Sequence, residues 1–563
     1  MTVPEAASPA AQPIPLPPDF QVYFEPGEDQ LLWERDRTHF PAQLTTFEGE
    51  FVSGALKRGL SHAMRRYEAP IDRMAIRILH GYMYQAMIPV TGTAEEMDAR
   101  AKRAEARLME VVGRLREQWE ESWLPEIREH LRAMEATDPR AASEPELVAM
   151  LDDYDTRLGR LWEIHFEIVL PAYIVVSEFD ELYRDLFDGE GFDAYRLLHG
   201  FPTKTFEVGR DLWRLSRVAL ESPEVTMVLE TEAAVDVPAR LEQFAAGRAF
   251  LTELGRHLAE YGHRTTNWGL STPSFIEDPR PVLKVLKDYV GQPESADPTR
   301  ELERLVAERE AAVADARERL QGYPAAVVGQ FETMLEAAQV GLRLTEDHGF
   351  YIDAYGVSLA RELLSEIGQR LAAAAVIGHP EDVLMLHGAE IRAALSDLTR
   401  SELHAGVAER RTHLARYADV EAPLMLGTLP PGPPPDSPFT RLTTKFSGAP
   451  AAPEEEGIVR GASGAAGTAT GVARVVRSLA DAARLKPGEI LVAETTAPPW
   501  TPLFRVAAAV VTDTGGILSH SAVVAREYGI PAVVGAGRAT TAIEDGDVVE
   551  VDGDAGTVRI LRP

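Results

Sequence analysis

The sequence contains no cysteine. That one absence removes disulfides, thiolate metal sites and cysteine nucleophiles. No uninterrupted apolar stretch is long enough to span a bilayer. The opening segment, MTVPEAASPAAQPIPLPPDF, has neither the basic start nor the apolar run of a signal peptide. The chain therefore reads as cytoplasmic, without a membrane partner. Positive charge is also scarce: the formal net charge is −31, which argues against binding a nucleic-acid backbone. A G-x-x-x-x-G-K-[ST] loop is missing as well. Its nearest imitation, Gly461 to Gly471 (GASGAAGTATG), lacks the lysine and reads as a flexible turn leading into a strand.

What is present suffices for several domains, with 563 residues of which 45% are hydrophobic. Residues 1–19 are rich in Pro and Ala and read as disordered. Residues 20–426 read as a helical domain. In its clearest stretch, Arg300 to Leu320, the residues Leu302, Leu305, Val306, Val313, Ala316 and Leu320 recur at helical spacings on one face, interrupted by Arg309. Residues 427–457, with GTLPPGPPPD and SGAPAAPEEEG, read as a Pro/Gly-rich linker. Residues 458–563 hold short β-branched runs with helical pieces between them, the pattern of a small α/β domain. From Gly457 onward there are 10 Lys/Arg against 11 Asp/Glu, so nearly all of the acidic balance lies in the helical part. The expected fold class is thus multidomain: a large, mostly α-helical domain followed by a small α/β one.

The chemistry concentrates in Val511 to Gly535, VTDTGGILSHSAVVAREYGIPAVVG. A strand ends near Val511, and Gly515 and Gly516 free the backbone for a sharp turn. Ser519 is a suitable N-cap whose hydroxyl accepts from a free N–H. A helix is expected from Ser519 to Tyr528, closed by Gly529 at C′ and blocked by Pro531. His520 then stands in the first turn, where free N–H groups and the helix dipole favour an anion. Neutral imidazole is a nitrogen nucleophile. On the residues alone, a capping or packing histidine is the simpler reading of the same pattern.

The stretch from Thr514 through Gly515, Gly516, Ile517, Leu518, Ser519, His520, Ser521 and Ala522, continued by Ala525 to Gly535, resembles the mobile phosphohistidine domain of phosphoenolpyruvate-utilising enzymes. Pro487 to Val492 and Trp500 to Phe504 extend the likeness across the domain. The resemblance implies a swivelling α/β domain that carries a phosphoryl group on His520, supported by Thr514, Gly515, Gly516 and Ser519. Further segments, Asp36 to Pro41, Phe201 to Gly209, Tyr261 to Arg264, Ser271 to Pro279 and Leu344 to Asp353, are similar to the substrate-binding helical region of rifampin phosphotransferase-like and phenylphosphate synthase-like chains.

Two family parts have no counterpart in this sequence. The pyruvate-binding barrel that follows the mobile domain in phosphoenolpyruvate synthases is missing. So is the ATP-grasp domain that precedes the helical region in rifampin phosphotransferases. The expectation is that ATP and Mg2+ act through a separate ATP-grasp protein that charges His520. The helical domain is then expected to bind a small hydroxyl-bearing organic substrate. Phosphoryl transfer to a hydroxyl needs cationic donors for the moving group and a base for the proton. Lys204 and Arg264 suit the first role and His348 or Asp347 the second, with His263, Glu346 and Arg361 in or near the same segments; salt bridges and helix caps are equally open for each. Trp268, Phe350 and Tyr351 suit a pocket wall or the core. No His/Asp/Glu cluster shows metal-ligand spacing, so no metal site is expected. Two other outcomes stay open: dehydration through a phosphorylated leaving group, and a non-catalytic phosphocarrier or regulatory module.

Overall fold

The 44-residue helix Glu144–Phe187 is the axis of the helical body. Its start is fixed by a serine–glutamate pair: Ser143 N–H and Oγ both bond the Glu146 carboxylate, at 2.7 Å each. Leu147, Leu151, Tyr154, Leu158, Leu161, Ile164 and Ile168 follow at three- and four-residue spacings and are all buried. The helix Ala325–Gly349 packs along it. Contact between the two is backbone-close at Gly341, where a Cβ would lie 2.9 Å from the Ala172 carbonyl oxygen. These helices, with Thr46–Arg66 and Val357–Ala373, enclose the main core. A second core, built on Lys204–Leu220, Ala245–Tyr261 and Arg280–Val290, forms a lobe beside it.

This computed structural model describes residues 12–187, 193–265, 269–399, 402–430, 438–447, 457–477, 481, 484–496 and 500–561. The helical reading of 20–426 holds as a majority with one correction. A five-stranded antiparallel sheet forms from β1 (Gln12–Pro13), β2 (Leu32–Arg35), β3 (Ile71–Leu79), β4 (Tyr82–Pro89) and β5 (Met425–Leu429), in the order β1-β5-β2-β4-β3. The β3–β4 hairpin turns through His80 and Gly81, both at positive φ (54° and 88°), the geometry of a two-residue connection.

The expected helix in 300–320 is Pro298–Arg319, with Leu305, Ala316 and Leu320 buried. Arg309, which breaks its apolar stripe, has a task of its own. Its guanidinium donates to the carbonyls of His199 and Gly200 at 3.0 and 2.6 Å and stacks on Phe201.

The linker expectation needs correcting where residues are described. Residues 425–429 are strand β5, and Pro438–Ser447 is a helix lying against Glu144–Phe187. Lys445 Nζ reaches Asp180 at 2.8 Å and Glu181 at 2.7 Å, and Arg441 bonds Glu178. The proline run at 431–437 and the stretch 448–456 lie outside the described residues, as does the N-terminal segment 1–11.

The C-terminal α/β domain is an eight-stranded sheet made of β6 (Ile458–Arg460), β7 (Ala462–Ala465), β8 (Thr468–Val475), β9 (Ile490–Ala493), β10 (Ala509–Thr512), β11 (Ala532–Val534), β12 (Val548–Asp552) and β13 (Thr557–Ile560). The strand order is β6-β13-β12-β8-β9-β10-β11-β7, and β8 to β11 run parallel. β8 to β12 fall on the β-branched runs at 471–476, 489–493, 507–511, 532–534 and 547–552, as the pattern of a small α/β domain predicts. Gly461 to Gly471 corrects the sequence reading: this is no flexible turn but β7, the start of β8 and a corner at Gly467 (φ 105°). The central strands β9, β10 and β11 are buried along their whole length, as a sheet covered on both faces requires.

Candidate functional site

His520 opens the helix His520–Tyr528, beyond the carboxyl end of β10, the usual ligand edge of a parallel sheet. The loop between them is tied at several points. Thr512 Oγ1 donates to the Thr514 carbonyl at 2.8 Å, and Thr514 bonds the Glu494 carbonyl through both N–H and Oγ1. Gly515 turns at φ 92°, where a side chain would be strained. Gly516 and Leu518 then donate their N–H groups to the carbonyls of Phe446 and Lys445, at 2.6 and 2.8 Å. The helix ends as expected, with Gly529 in the left-handed region at φ 63°.

Ser519 occupies the N-cap position with extended backbone, yet its hydroxyl makes no capping bond, contrary to expectation. Oγ sits over Gly515, where a Cβ would lie 2.8 Å from it, and is buried without a partner. The first-turn N–H groups are therefore not claimed by this side chain, which suits an anion there.

Of the body residues singled out from sequence, Glu346 meets His520 directly: Nδ1 lies 3.3 Å from Oε1. Burial alone would raise the Glu346 carboxyl, but the His520 and His348 imidazoles and the Thr205 hydroxyl hold it below the usual carboxylate range. A carboxylate only accepts, so in the neutral ring Nδ1 carries the hydrogen and Nε2 the lone pair. That Nε2 is buried and has no partner.

Glu346 also lines a cleft of about 120 Å³ between body and C-terminal domain. Phe201, Phe206, Tyr261, Phe275 and Tyr289 give it aromatic walls, and Val524, Glu527 and Tyr528 of the His520 helix close one side. Arg264 projects into it, 6% exposed, with no side-chain hydrogen bond or ion pair among the described residues. Burial lowers its guanidinium to about 10, offset in part by Glu346. Glu527 is pushed up to about 8 by burial and by Glu346, with Arg526 opposing.

The other sequence candidates are placed less directly. Lys204 begins its helix: its N–H bonds Asp347 at 2.8 Å and its ammonium pairs with Glu207. Asp347 is thus a helix-capping group, raised to about 6 by burial. His263 bonds Ser358 at 3.1 Å and stacks on Tyr355, and burial lowers it to about 4. His348 points away from the cleft towards Asp353 and the Leu344 carbonyl. Arg361 binds Glu277 and the Leu270 carbonyl, which makes it a brace for that loop. Tyr351 is core, Phe350 lies under the Lys204 ammonium, and Trp268 falls outside the described residues. The base roles suggested for Asp347 and His348 therefore do not fit their positions.

Sequence reasoning missed three groups. Glu527 and Arg505 line the cleft from the C-terminal domain. Arg37 bonds Glu494 at 2.7 Å, Asp513 at 3.3 Å and the Gly537 carbonyl at 3.3 Å, which holds the domain against the body. Arg37 lies inside the family-like segment Asp36 to Pro41, so a signal existed, but none for its role.

Comparison with known proteins places these features. Residues 485–556 match the PEP-utilising enzyme mobile domain, and residues 165–346 match the rifampicin phosphotransferase fourth domain. Chondramide synthase cmdD of Chondromyces crocatus is 41% identical over 97% of this chain, a stretch that is 14% of that protein. The uncharacterized phosphotransferase YvkC of Bacillus subtilis is 32% identical over 71% of this chain and 47% of its own length. The prodigiosin synthesizing transferase PigC of Serratia marcescens is 31% identical over 64% of this chain and 39% of its own. The chain thus spans less than half the length of each of these relatives. Among the described residues no helix is long and apolar enough to cross a membrane. Residues 485–556 of the C-terminal unit thus match the PEP-utilising enzyme mobile domain, and residues 165–346 of the helical body match the rifampicin phosphotransferase fourth domain, so the chain is similar to phosphotransferases of this kind in both parts.

Proposed function

We propose that this chain is a phosphotransferase component in which His520 carries a phosphoryl group on Nε2 and delivers it to a hydroxyl of a small organic molecule in the cleft. The observation that carries this reading is the His520 ring itself. Glu346 holds Nδ1–H, so the buried, unpartnered Nε2 is left as the nucleophile. In the transfer, the substrate oxygen bonds phosphorus, the Nε2–P bond breaks, and its electron pair returns to the ring. Arg264 neutralises charge on the moving group. The hydroxyl proton passes to Glu527, the cleft carboxyl whose pKa of about 8 lies nearest a working pH. The aromatic walls favour an apolar or aromatic substrate body.

Charging of His520 is proposed to come from an ATP- and Mg2+-dependent ATP-grasp protein other than these residues. That reading is supported by the greater length of the relatives, which extend well beyond the stretch matched here. To serve both sites, the C-terminal domain is proposed to swivel relative to the helical body. The test uses phosphoramidate, a small chemical donor that bypasses the partner. After incubation, intact mass under alkaline conditions is expected to show one acid-labile phosphate in the native chain and none in His520→Ala. An equal phosphate load on His520→Ala refutes the assignment.

A further inference from the structure

Behind Glu346 lies a second cluster that the phosphoryl chemistry does not use. Among the described residues His165, His348 and Asp353 converge, with one ligand atom from each within 4.8 Å of the others. His165 comes from the axial helix Glu144–Phe187. His348 ends the helix Ala325–Gly349, and Asp353 lies in the π-helical turn Phe350–Gly356 that continues it. In an α-helix, residues five apart point roughly 140° from each other. The wider π turn instead stacks position i on i+5, and such turns concentrate at functional sites. This turn is what brings Asp353 beneath His348.

We propose that His165, His348 and Asp353 bind one divalent transition-metal ion. The argument rests on how lone pairs are aimed. His348 Nδ1 lies 2.7 Å from the Leu344 carbonyl, which only accepts, so Nδ1 carries the hydrogen and Nε2 presents a lone pair. That lone pair faces Asp353 Oδ2 at 3.7 Å, also an electron-pair donor, and no proton is available between them from the neutral ring. On the other side His165 Nδ1 lies 2.8 Å from Asp353 Oδ1, to which it donates a hydrogen in the free chain; binding an ion there would release that proton. Donors each about 2.1 Å from a common ion sit about 3.0 to 3.4 Å apart at octahedral or tetrahedral angles. The two measured separations, made to the two oxygens of the one carboxylate, lie on either side of that value, and one ligand atom from each residue falls within 4.8 Å of the others.

The Leu344 carbonyl on the far nitrogen of His348 is the outer partner that fixes a ligating imidazole. Two imidazoles and one carboxylate select Zn2+, Fe2+ or Mn2+ over Mg2+ or Ca2+, and three ligands leave a position open to water. Trp162 and Phe166 pack on the His165 ring, and His348 and Asp353 are 5% and 7% exposed, so the site is enclosed. Glu346 precedes His348 by two residues on the same helix, so an ion here would anchor the helix end that presents Glu346 to His520.

The full chain, stripped with chelator and dialysed, is to be titrated by calorimetry with Zn2+, Mn2+ and Mg2+. One equivalent of Zn2+ or Mn2+ is expected, with Mg2+ at least about 100-fold weaker. His348→Gln and Asp353→Asn are expected to weaken binding at least about 100-fold, whereas His387→Gln, at a distant exposed pair with Glu50, leaves it unchanged. Binding that survives both substitutions, or no binding at all, overturns the site. If the variants fail to fold, X-ray absorption on the metal-loaded native chain decides: two imidazole ligands support the assignment, and a spectrum without imidazole refutes it.

Discussion

His520 and Glu346 lie 174 positions apart in the chain, yet Nδ1 of one stands 3.3 Å from Oε1 of the other. The carboxylate comes from the helical body and the imidazole from the C-terminal domain, so this contact orients the ring only when the two are together. In Glu346→Gln the amide can donate as well as accept, and the tautomer is no longer imposed. Transfer to the substrate is expected to fall about 100-fold, while phosphoramidate still loads His520. Single-turnover transfer set against phosphate loading measures the split. Equal losses in both steps would show that Glu346 serves the fold rather than the transfer.

Arg264 supplies the cationic contact in the cleft. Its removal in Arg264→Ala is expected to cost about 10²- to 10³-fold in transfer rate. Arg264→Lys recovers only part, because an ammonium lacks the planar fork that suits phosphate. Thermal stability of Arg264→Ala is expected to hold or rise, since a buried guanidinium without an ion pair is itself unfavourable. A fully active Arg264→Ala removes this residue from the mechanism.

Glu527 gives a pH signature. Its folded value of about 8 lies above the ordinary 4.5, so the folded state holds this proton more tightly than the unfolded chain. The resulting stability is complete below about 4.5 and is lost as pH rises through about 8. Glu527→Gln is expected to remove that decline and to be about 1 to 2 kcal/mol more stable than the native chain above pH 8. Transfer by the native chain is expected to rise with pH through about 8, and the glutamine variant to be slow and flat. Denaturant melts and single-turnover rates across pH 6 to 9 check both. A native profile unchanged by the substitution rejects Glu527 as proton acceptor.

Arg37 holds the mobile domain against the body through Glu494, Asp513 and the Gly537 carbonyl. Arg37→Ala is expected to weaken that contact by about 1.5 to 3 kcal/mol without unfolding either part. Hydrogen exchange in 513–519 and 535–540 should accelerate about 10-fold or more, and small-angle scattering should show a larger mean size. Exchange confined to native rates would indicate that the remaining contacts keep the domain in place without Arg37.

Product analysis separates transfer from elimination. With loaded His520 and an apolar hydroxyl compound, a stable phosphoester is expected in an amount equal to the phosphate lost from the protein. An alkene with free phosphate would shift the reading to the dehydration alternative.

The sequence was most legible where local rules act alone. The helix from His520, its stop at Gly529 and the apolar parallel strands follow from capping, left-handed glycine and periodicity. What stayed hidden depends on distant pairing. Strand β5 joins β2 across nearly the whole helical body, and no local pattern announces that partner. Glu346 could be singled out by its segment, but not its meeting with His520. Asp353 was hidden for a subtler reason: its relation to His348 appears only after the helix widens by a residue per turn. Ser519 looked like a capping serine by type, and its hydroxyl turned to Gly515 instead.

The Pro438–Ser447 helix leads the chain towards the mobile domain, and it is gripped from two sides. Its Lys445 ammonium is held by Asp180 and Glu181 of the body, while its Lys445 and Phe446 carbonyls hold the N–H groups of Leu518 and Gly516 beside His520. For His520 to leave Glu346, one grip or the other has to let go as a unit. On the proposed swivel, departure would break these contacts together with those of Arg37, so the residence of the histidine beside Glu346 would depend in part on ten residues of connector remote from the imidazole in sequence.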